Sequence, residues 1–330
     1  MDHLHLVIPD LLPPRAAPQN ICHGLKLPYL TALLARGRQM DAPVLSLEEI
    51  VCGRFGVDAV APARAVADGL AVGDEYWLCA DPVWLQLQQS QVILQPDVQC
   101  NAEESASLCA DLNRHFAPDG LTFVAADPQR WYIRSSAAGR MSMTPLRAVA
   151  GRDVKPHQPQ GEDALRWQRL SNEIQMLLHS HPVNQAREER GLHPINSLWL
   201  WGGGNPAPLR AEVDVAGGDD GLSALFARAA AVSFADSLDG MLSGNGRKGL
   251  WVAGTPSAAW QRADLYAWRD AVAGLEREVV QPLWQAIRQG RLRGLTLDVP
   301  SQDAAKRFEL SRADSWKLWR RRSPLKAYLK

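Results

Sequence analysis

Residues 172–205, NEIQMLLHSHPVNQAREERGLHPINSLWLWGGGN, bring four local signals together in one segment. Ile174, Leu177 and Leu178 continue a stripe begun by Trp167 and Leu170, the spacing of one face of an amphipathic helix. Pro182 stops that helix, a polar loop dense in His, Asn and Arg follows, and SLWLW reads as a short aromatic strand. A glycine-rich turn closes the segment before Pro206.

Working outward, the polar stretch AGRDVKPHQPQGED (150–163) reads as a linker, with Asp163 able to cap the helix after it. Before it, from Gly73, DEYWLCADPVWLQL, SQVILQP, NAEESASLCADLNRHFA and LTFVAADPQRWYIRSS alternate strand and helix signals with Asp-Pro turns between them, the texture of an α+β unit. Both ends of the chain differ. Residues 3–8 form an apolar run ending at Pro9 and Asp10, a buried first strand with an acid at its carboxyl end, where open α/β sheets bind ligands. Pro28 opens a helix with Leu30, Leu33 and Leu34 on one face, Ser46 and Glu49 form a capping-box pair, and 64–71 reads as a further helix. Towards the carboxyl end the sequence predicts a helix over 222–231, a strand in KGLWVAG, and a long helix over 265–289 kinked at Pro282. LRGLTLDV, carrying Asp298, is the last strand, and FELSRADSWKLWRRR a closing helix. This order predicts an α/β fold with a mostly parallel sheet, built from 1–71 and 186–330, with an α+β domain inserted over 72–185.

Composition narrows the function classes. Lys plus Arg and Asp plus Glu are 36 each, so no overall field favours nucleic acid or an anionic membrane. Five cysteines without a CxxC pair argue against a zinc ribbon or a disulfide framework. The start MDHLHLVIPDLLPP lacks the basic and long apolar regions of a signal peptide, so a soluble cytoplasmic protein is expected.

Three constellations are candidates for chemistry. In the central loop, His179 and His181 have a metal-ligand spacing but no obvious carboxylate partner. Arg187 and Arg190, three apart, share a helical face and are able to grip a phosphate or carboxylate; the alternative is a surface helix pairing them with Glu188 and Glu189. WGGGNP follows neither GxGxxG nor the P-loop pattern, and a turn that lets Trp199 and Trp201 pack is the alternative to a ligand-facing backbone. SWKLWRRR mixes Trp316 and Trp319 with Arg320, Arg321 and Arg322, a pattern for nucleic acid or an anionic surface, or else a docked helix with its aromatic face buried, which is the expectation taken here.

HPVNQAREERGLHPINSLWLWGGG, supported by VIPD, LPYLTALLARG, GDEYWLCADP and TLDV, resembles the archaeal-type cofactor-independent phosphoglycerate mutases of the alkaline phosphatase superfamily. The chain also resembles the bacterial regulatory group called RpfE. The resemblance implies an alkaline-phosphatase-like sheet and a chemistry of two divalent metals bridged by a Ser or Thr nucleophile and held by Asp and His. Asp10 stands where a first-strand metal ligand belongs, but Leu27 stands before Pro28 where the nucleophile belongs. Asp298 is followed by Val299 instead of His, Asp270 and Gly274 lack their histidine, and His193 is the last histidine of the chain. The expectation is therefore a degenerate mutase-like regulatory protein with no catalytic residues and no cofactor. Its ligand-binding residues would be His181, Asn184, Arg187, Arg190, Asn196, Trp201, Gly203 and Asn205, with Asp10 and Asp298 as residual metal candidates. A small anionic or phosphorylated ligand or a protein partner is expected, and neither a membrane nor nucleic acid. One alternative is an active mutase or phosphatase holding Mn²⁺ or Mg²⁺ with carboxylates such as Asp10, Asp264, Asp270 and Asp298. Another is a regulatory protein binding nucleic acid through the basic tail.

Overall fold

The apolar amino-terminal run becomes the middle strand of a seven-stranded sheet. The computed structural model describes residues 1–12, 18, 20–40, 45–301 and 305–328. In chain order, β1 (His3–Val7) and β2 (Arg38–Met40) come first. They are followed by β3 (Tyr76–Gln88), β4 (Gln91–Gln95), β5 (Leu121–Asp127), β6 (Arg130–Ser135), β7 (Met141–Ser142), β8 (Gln160–Gly161) and β9 (Ser197–Gly204). The last are β10 (Val215–Gly218), β11 (Ser233–Ala235), β12 (Lys248–Val252), β13 (Gly294–Pro300) and β14 (Ala305–Ser311). Two units result, Met1–Gly56 with Leu209–Lys330, and Val57–Pro208.

In the first unit the strand order is β11-β10-β12-β1-β13-β14-β2, and β11, β10, β12, β1 and β13 run parallel. Leu4 and Leu6 of β1, Leu295 and Leu297 of β13 and Phe308 of β14 pack with Leu30, Leu33, Trp268, Val272, Leu283 and Ile287 from the helices. The expected α/β architecture, a mostly parallel sheet flanked by helices, is present. Its local signals hold where they are self-contained: Pro28–Arg36 is helical from its proline, and Leu47–Arg54 is capped reciprocally by Ser46 and Glu49. The predicted 265–289 helix is Leu265–Leu275, a π-helical turn Glu276–Val280, then Gln281–Gln289. The π turn lies directly ahead of Pro282, whose ring and missing N–H disrupt regular α bonding.

The carboxyl end departs from expectation. The stretch from Ala305 is not helical but forms β14, antiparallel to β13, because Phe308 and Leu310 alternate with polar residues and fill the core. Two 3₁₀ turns, Asp314–Trp316 and Leu325–Tyr328, follow, and Trp316 and Trp319 are 50% and 75% exposed.

In the second unit β4-β3-β6-β5 form an antiparallel sheet, and β9 lies along the other side of β3. Helices Ala102–Phe116 and Ala164–His179 cover it with Leu108, Leu112, Trp167, Leu170, Ile174 and Leu178. The unit starts earlier and ends later than the 72–185 span predicted from sequence. One cause is the helix Val60–Ala67, whose Arg64 is buried in this unit: it forks onto Asp81 at 2.9 and 2.6 Å, while Trp201 Nε1 donates to the same carboxylate at 2.8 Å. The other is β9 itself, which continues through all three glycines instead of turning. A Cβ on Gly203 would collide with Tyr76 and Leu78, and one on Gly204 with Ala59, so only glycine permits this approach. The 150–163 stretch is likewise no linker, since Ala150 and Asp153 bridge β4, and β8 pairs with β7. Among the described residues no helix is long and apolar enough to cross a membrane.

Arg64→Met leaves Asp81 a buried carboxylate without its guanidinium, and should cost about 3–5 kcal/mol in urea unfolding. Arg64→Met combined with Asp81→Leu should recover most of that loss. Equal losses in the single and double variants would show that the pair does not hold this helix.

Candidate functional site

The carboxyl edge of the parallel sheet in the first unit carries two of the carboxylates that the sequence singles out, Asp10 and Asp298. Register sets Asp298 of β13 beside Val7 of β1 on one side and Arg307 of β14 on the other. Asp298 is 4% exposed, and three donors meet its two oxygens. His5 Nε2 meets Oδ2 at 2.6 Å, and Arg307 donates from Nε to Oδ1 at 2.6 Å and from its Nη2 to Oδ2 at 2.7 Å. Burial alone would raise this carboxyl's pKa, but the Arg307 fork and the His5 hydrogen bond outweigh it and bring it down to about 2. The side chain of Arg307 is 27% exposed, and its third nitrogen, Nη1, has no partner among the described residues.

Asp10 follows β1 with a left-handed φ of 54°. Its backbone N–H donates to Pro300 O, its carbonyl accepts from Trp268 Nε1 at 2.9 Å, and its Oδ2 accepts the Ser257 hydroxyl at 2.6 Å. Beyond β10, Asp219 accepts from the backbone of Gly254 and Thr255 and from the Thr255 hydroxyl. At the start of the Pro28–Arg36 helix, Leu27 is the buried N-cap and offers no oxygen nucleophile. The free N–H groups of that first turn, on Tyr29 and Leu30, donate to Glu276 at 2.6 and 2.9 Å. Burial raises the Glu276 pKa in spite of those two donors. Asp264 and Asp270 have other surroundings: Asp264 caps the Leu265–Leu275 helix through Ala267 N at 2.9 Å, and Asp270 lies within that helix. Among the described residues no group of three or more His, Cys, Asp or Glu is arranged to hold a metal ion.

The residues expected to bind a ligand lie in the second unit, and each has protein partners. Arg187, 1% exposed, donates to Glu104 at 2.6 Å, to His193 O at 2.9 Å and to the carbonyls of Val98 and Gln99. Arg190 reaches the other oxygen of Glu104 at 2.6 Å from a half-exposed position. The two arginines do grip a carboxylate, and it is the chain's own. Glu104 is held below the usual carboxylate range: burial opposes this, but Arg190, the Asn101 N–H and Arg187 together prevail.

His181 caps the Pro182–Glu189 helix through Nδ1 and meets Asp111 through Nε2 at 2.9 Å. Asn184 spans the carbonyls of Leu178 and Ile195 and accepts the Ile195 N–H, and Asn196 makes a reciprocal pair with the Leu85 backbone. Trp201 serves Asp81, Gly203 packs under Tyr76, and Asn205 donates to Asp74 O at 3.2 Å. Asn184, Arg187, Arg190 and His181 thus form a brace around one short helix, while Asp10 and Asp298 belong to the other unit. The sequence did not single out Arg307, His5 or Glu276. For His5 the signal was available: His3 and His5 alternate along a strand, which puts both on one face.

The carboxyl of Asp298 has a folded-state pKa below its ordinary value of 3.8, so its ionised form stabilises the fold above that value. That contribution, roughly 2 kcal/mol, should fade as pH falls from 3.8 to about 2. Urea unfolding of the native protein and Asp298→Asn across this range should show the stability gap closing; a constant gap would contradict the assignment. In the second unit, Arg187→Met should cost about 3–5 kcal/mol by leaving Glu104 buried beside lost carbonyl contacts, and Arg190→Met less than about 1 kcal/mol. Comparable losses for both would contradict the distinction drawn from burial.

No family model matches the chain. A 71-residue stretch, 22% of the chain, is 41% identical to the probable 2,3-bisphosphoglycerate-independent phosphoglycerate mutase of Geobacter sulfurreducens. A 65-residue stretch, 20% of the chain, is 42% identical to the 2,3-bisphosphoglycerate-independent phosphoglycerate mutase of Methanothrix thermoacetophila. These matches span 18% and 16% of the two relatives' own length. The solved structure of a Pyrococcus horikoshii protein is similar over 94% of this chain and 87% of that one, with a TM-score of 0.56 at 12% identity, a likeness of fold. In sequence, part of this chain is phosphoglycerate-mutase-like.

Proposed function

We propose that this chain is a degenerate phosphoglycerate-mutase-like protein that binds where its relatives react, a regulatory protein of the RpfE kind. The observation that carries the proposal is the environment of Asp298. Two-metal phosphoryl transfer needs carboxylate lone pairs free for the metals, which lower the nucleophile's pKa and clamp the transferring oxygens. Here both oxygens of Asp298 are taken by Arg307 and His5, and the guanidinium supplies the positive charge that a metal would bring. Among the described residues, those of this edge do not form a two-metal ligand set. Leu27 gives no attacking oxygen, and the Glu276 carboxylate holds the helix N-terminus where an anion would otherwise be favoured.

What remains suited to a ligand is Arg307, partly exposed, with Nη1 directed to no protein group among the described residues. It offers one charge-assisted contact to a small anionic or phosphorylated molecule. Arg187 and Arg190, the expected grip, hold Glu104 in the second unit, so the ligand part of the proposal at this sheet edge rests on Arg307.

Purified protein equilibrated with Mn²⁺ and dialysed should retain far less than one equivalent by mass spectrometry. It should not interconvert 2- and 3-phosphoglycerate. 3-Phosphoglycerate should raise the melting temperature by a few degrees, and Arg307→Met should remove that increment relative to its own baseline. About two equivalents of tightly held metal together with turnover would establish the active-enzyme alternative instead. Stabilisation that survives Arg307→Met would move the ligand elsewhere.

A further inference from the structure

The segment after β14 presents an apolar and cationic surface that nothing in the proposed site uses. Trp316, Leu318 and Trp319 are 50%, 67% and 75% exposed, a concentration of large apolar surface within four residues. The segment is not a frayed end. Ser315 is fully buried, its carbonyl accepts from Arg36 at 2.7 Å and its hydroxyl donates to Arg312 O at 2.6 Å. Arg320 donates to Gly37 O at 3.1 Å, and Leu325 returns to the core. Residues 316–322 are therefore held at both ends with their apolar side chains facing out.

Cations surround them. The Arg288 guanidinium lies over the Trp316 ring, 4.2 Å from its centroid. Arg321 and Arg322 are exposed and have no hydrogen-bond or ion-pair partner among the described residues. Over 312–326 the one carboxylate is Asp314, already engaged by Lys317 and Ser311. Burial lowers the pKa of the buried Arg36, and the like charges of Arg322 and Arg288 lower it further.

We propose that this surface docks on an anionic lipid bilayer, with Trp319 and Leu318 at headgroup depth and the arginines on lipid phosphates. Tryptophan favours the membrane interface, where its ring is buried and its N–H stays wet, and a basic surround adds attraction to anionic lipid. Single-stranded nucleic acid fits less well. It requires open aromatic faces on which bases stack, but Arg288 covers one face of Trp316 and Leu318 has no ring. The expectation of no membrane partner relied on zero net charge and a docked aromatic helix; the charge is local and the aromatics are exposed.

The full chain should co-sediment with vesicles of phosphatidylcholine mixed with phosphatidylglycerol, and not with phosphatidylcholine alone. Arg321→Gln with Arg322→Gln should weaken binding by about five-fold per residue. Trp319→Ala with Leu318→Ser keeps every charge and should weaken it roughly ten-fold, while the urea midpoint stays unchanged. Four results would overturn the proposal: no vesicle binding, equal binding to neutral vesicles, binding indifferent to the Trp319 and Leu318 changes, or preference for a single-stranded oligonucleotide. A fifth would be self-association in sedimentation velocity that is lost in Trp319→Ala.

Discussion

A carboxylate withdrawn from water must be met by a cation or by several N–H groups, and both units of this chain depend on how that demand is met. Asp81 is met by Arg64, Glu104 by Arg187 and Arg190, and Asp298 by Arg307 with His5. Each pair ties separate elements together. Arg64 fixes a helix on β3, Arg187 fixes a second helix against the Ala102–Phe116 helix, and Asp298 links β1, β13 and β14. Such pairs add little net stability over well-packed apolar residues, yet removing one partner is expensive. They therefore specify arrangement more than they strengthen it.

The same demand has a chemical consequence at the carboxyl edge of the sheet. A guanidinium forked onto a carboxylate competes with a metal there, because it occupies a lone pair on each oxygen and sets a positive charge beside them. Asp298 is held in this way. Asp10 with Ser257, and Asp219 with Gly254 and Thr255, also direct oxygens toward protein donors. Glu276 then brings a negative group to a helix N-terminus that would otherwise attract an anion. Leu27, with no side-chain oxygen, stands in the same unit as described carboxylates whose oxygens are directed to protein donors.

Local features were legible in the sequence. The Ser46–Glu49 capping box, the Pro28 helix start and the buried first strand all depend on neighbours within a few residues. What was not legible depends on distant partners. Arg187 and Arg190 were recognisable as a carboxylate grip, but Glu104 lies more than eighty residues away, so Glu188 and Glu189 seemed the available partners. The alternation of Phe308 and Leu310 is a strand signal, overshadowed by the tryptophans and arginines after it, which resemble a helix. The three glycines read as a turn because glycine usually marks one. Here they let β9 approach Tyr76, Leu78 and Ala59, a packing need that no local pattern announces.

Polar density alone was the misleading quantity in the 172–205 stretch. A chain that turns sharply under a buried sheet leaves backbone groups unpaired, and side-chain amides are an economical way to pair them. Asn184 and Asn196 do this for Leu178, Ile195 and Leu85, and Arg187 does it for Val98, Gln99 and His193. A polar residue consumed in this way has no capacity left for a ligand, whatever its type. Capacity, not density, is the useful criterion, and it directs attention to side chains with donors left over at accessible positions. By that measure Arg307 at the sheet edge and Arg321 and Arg322 beside Trp319 outrank Arg187, Asn184 and Asn196 of the central loop.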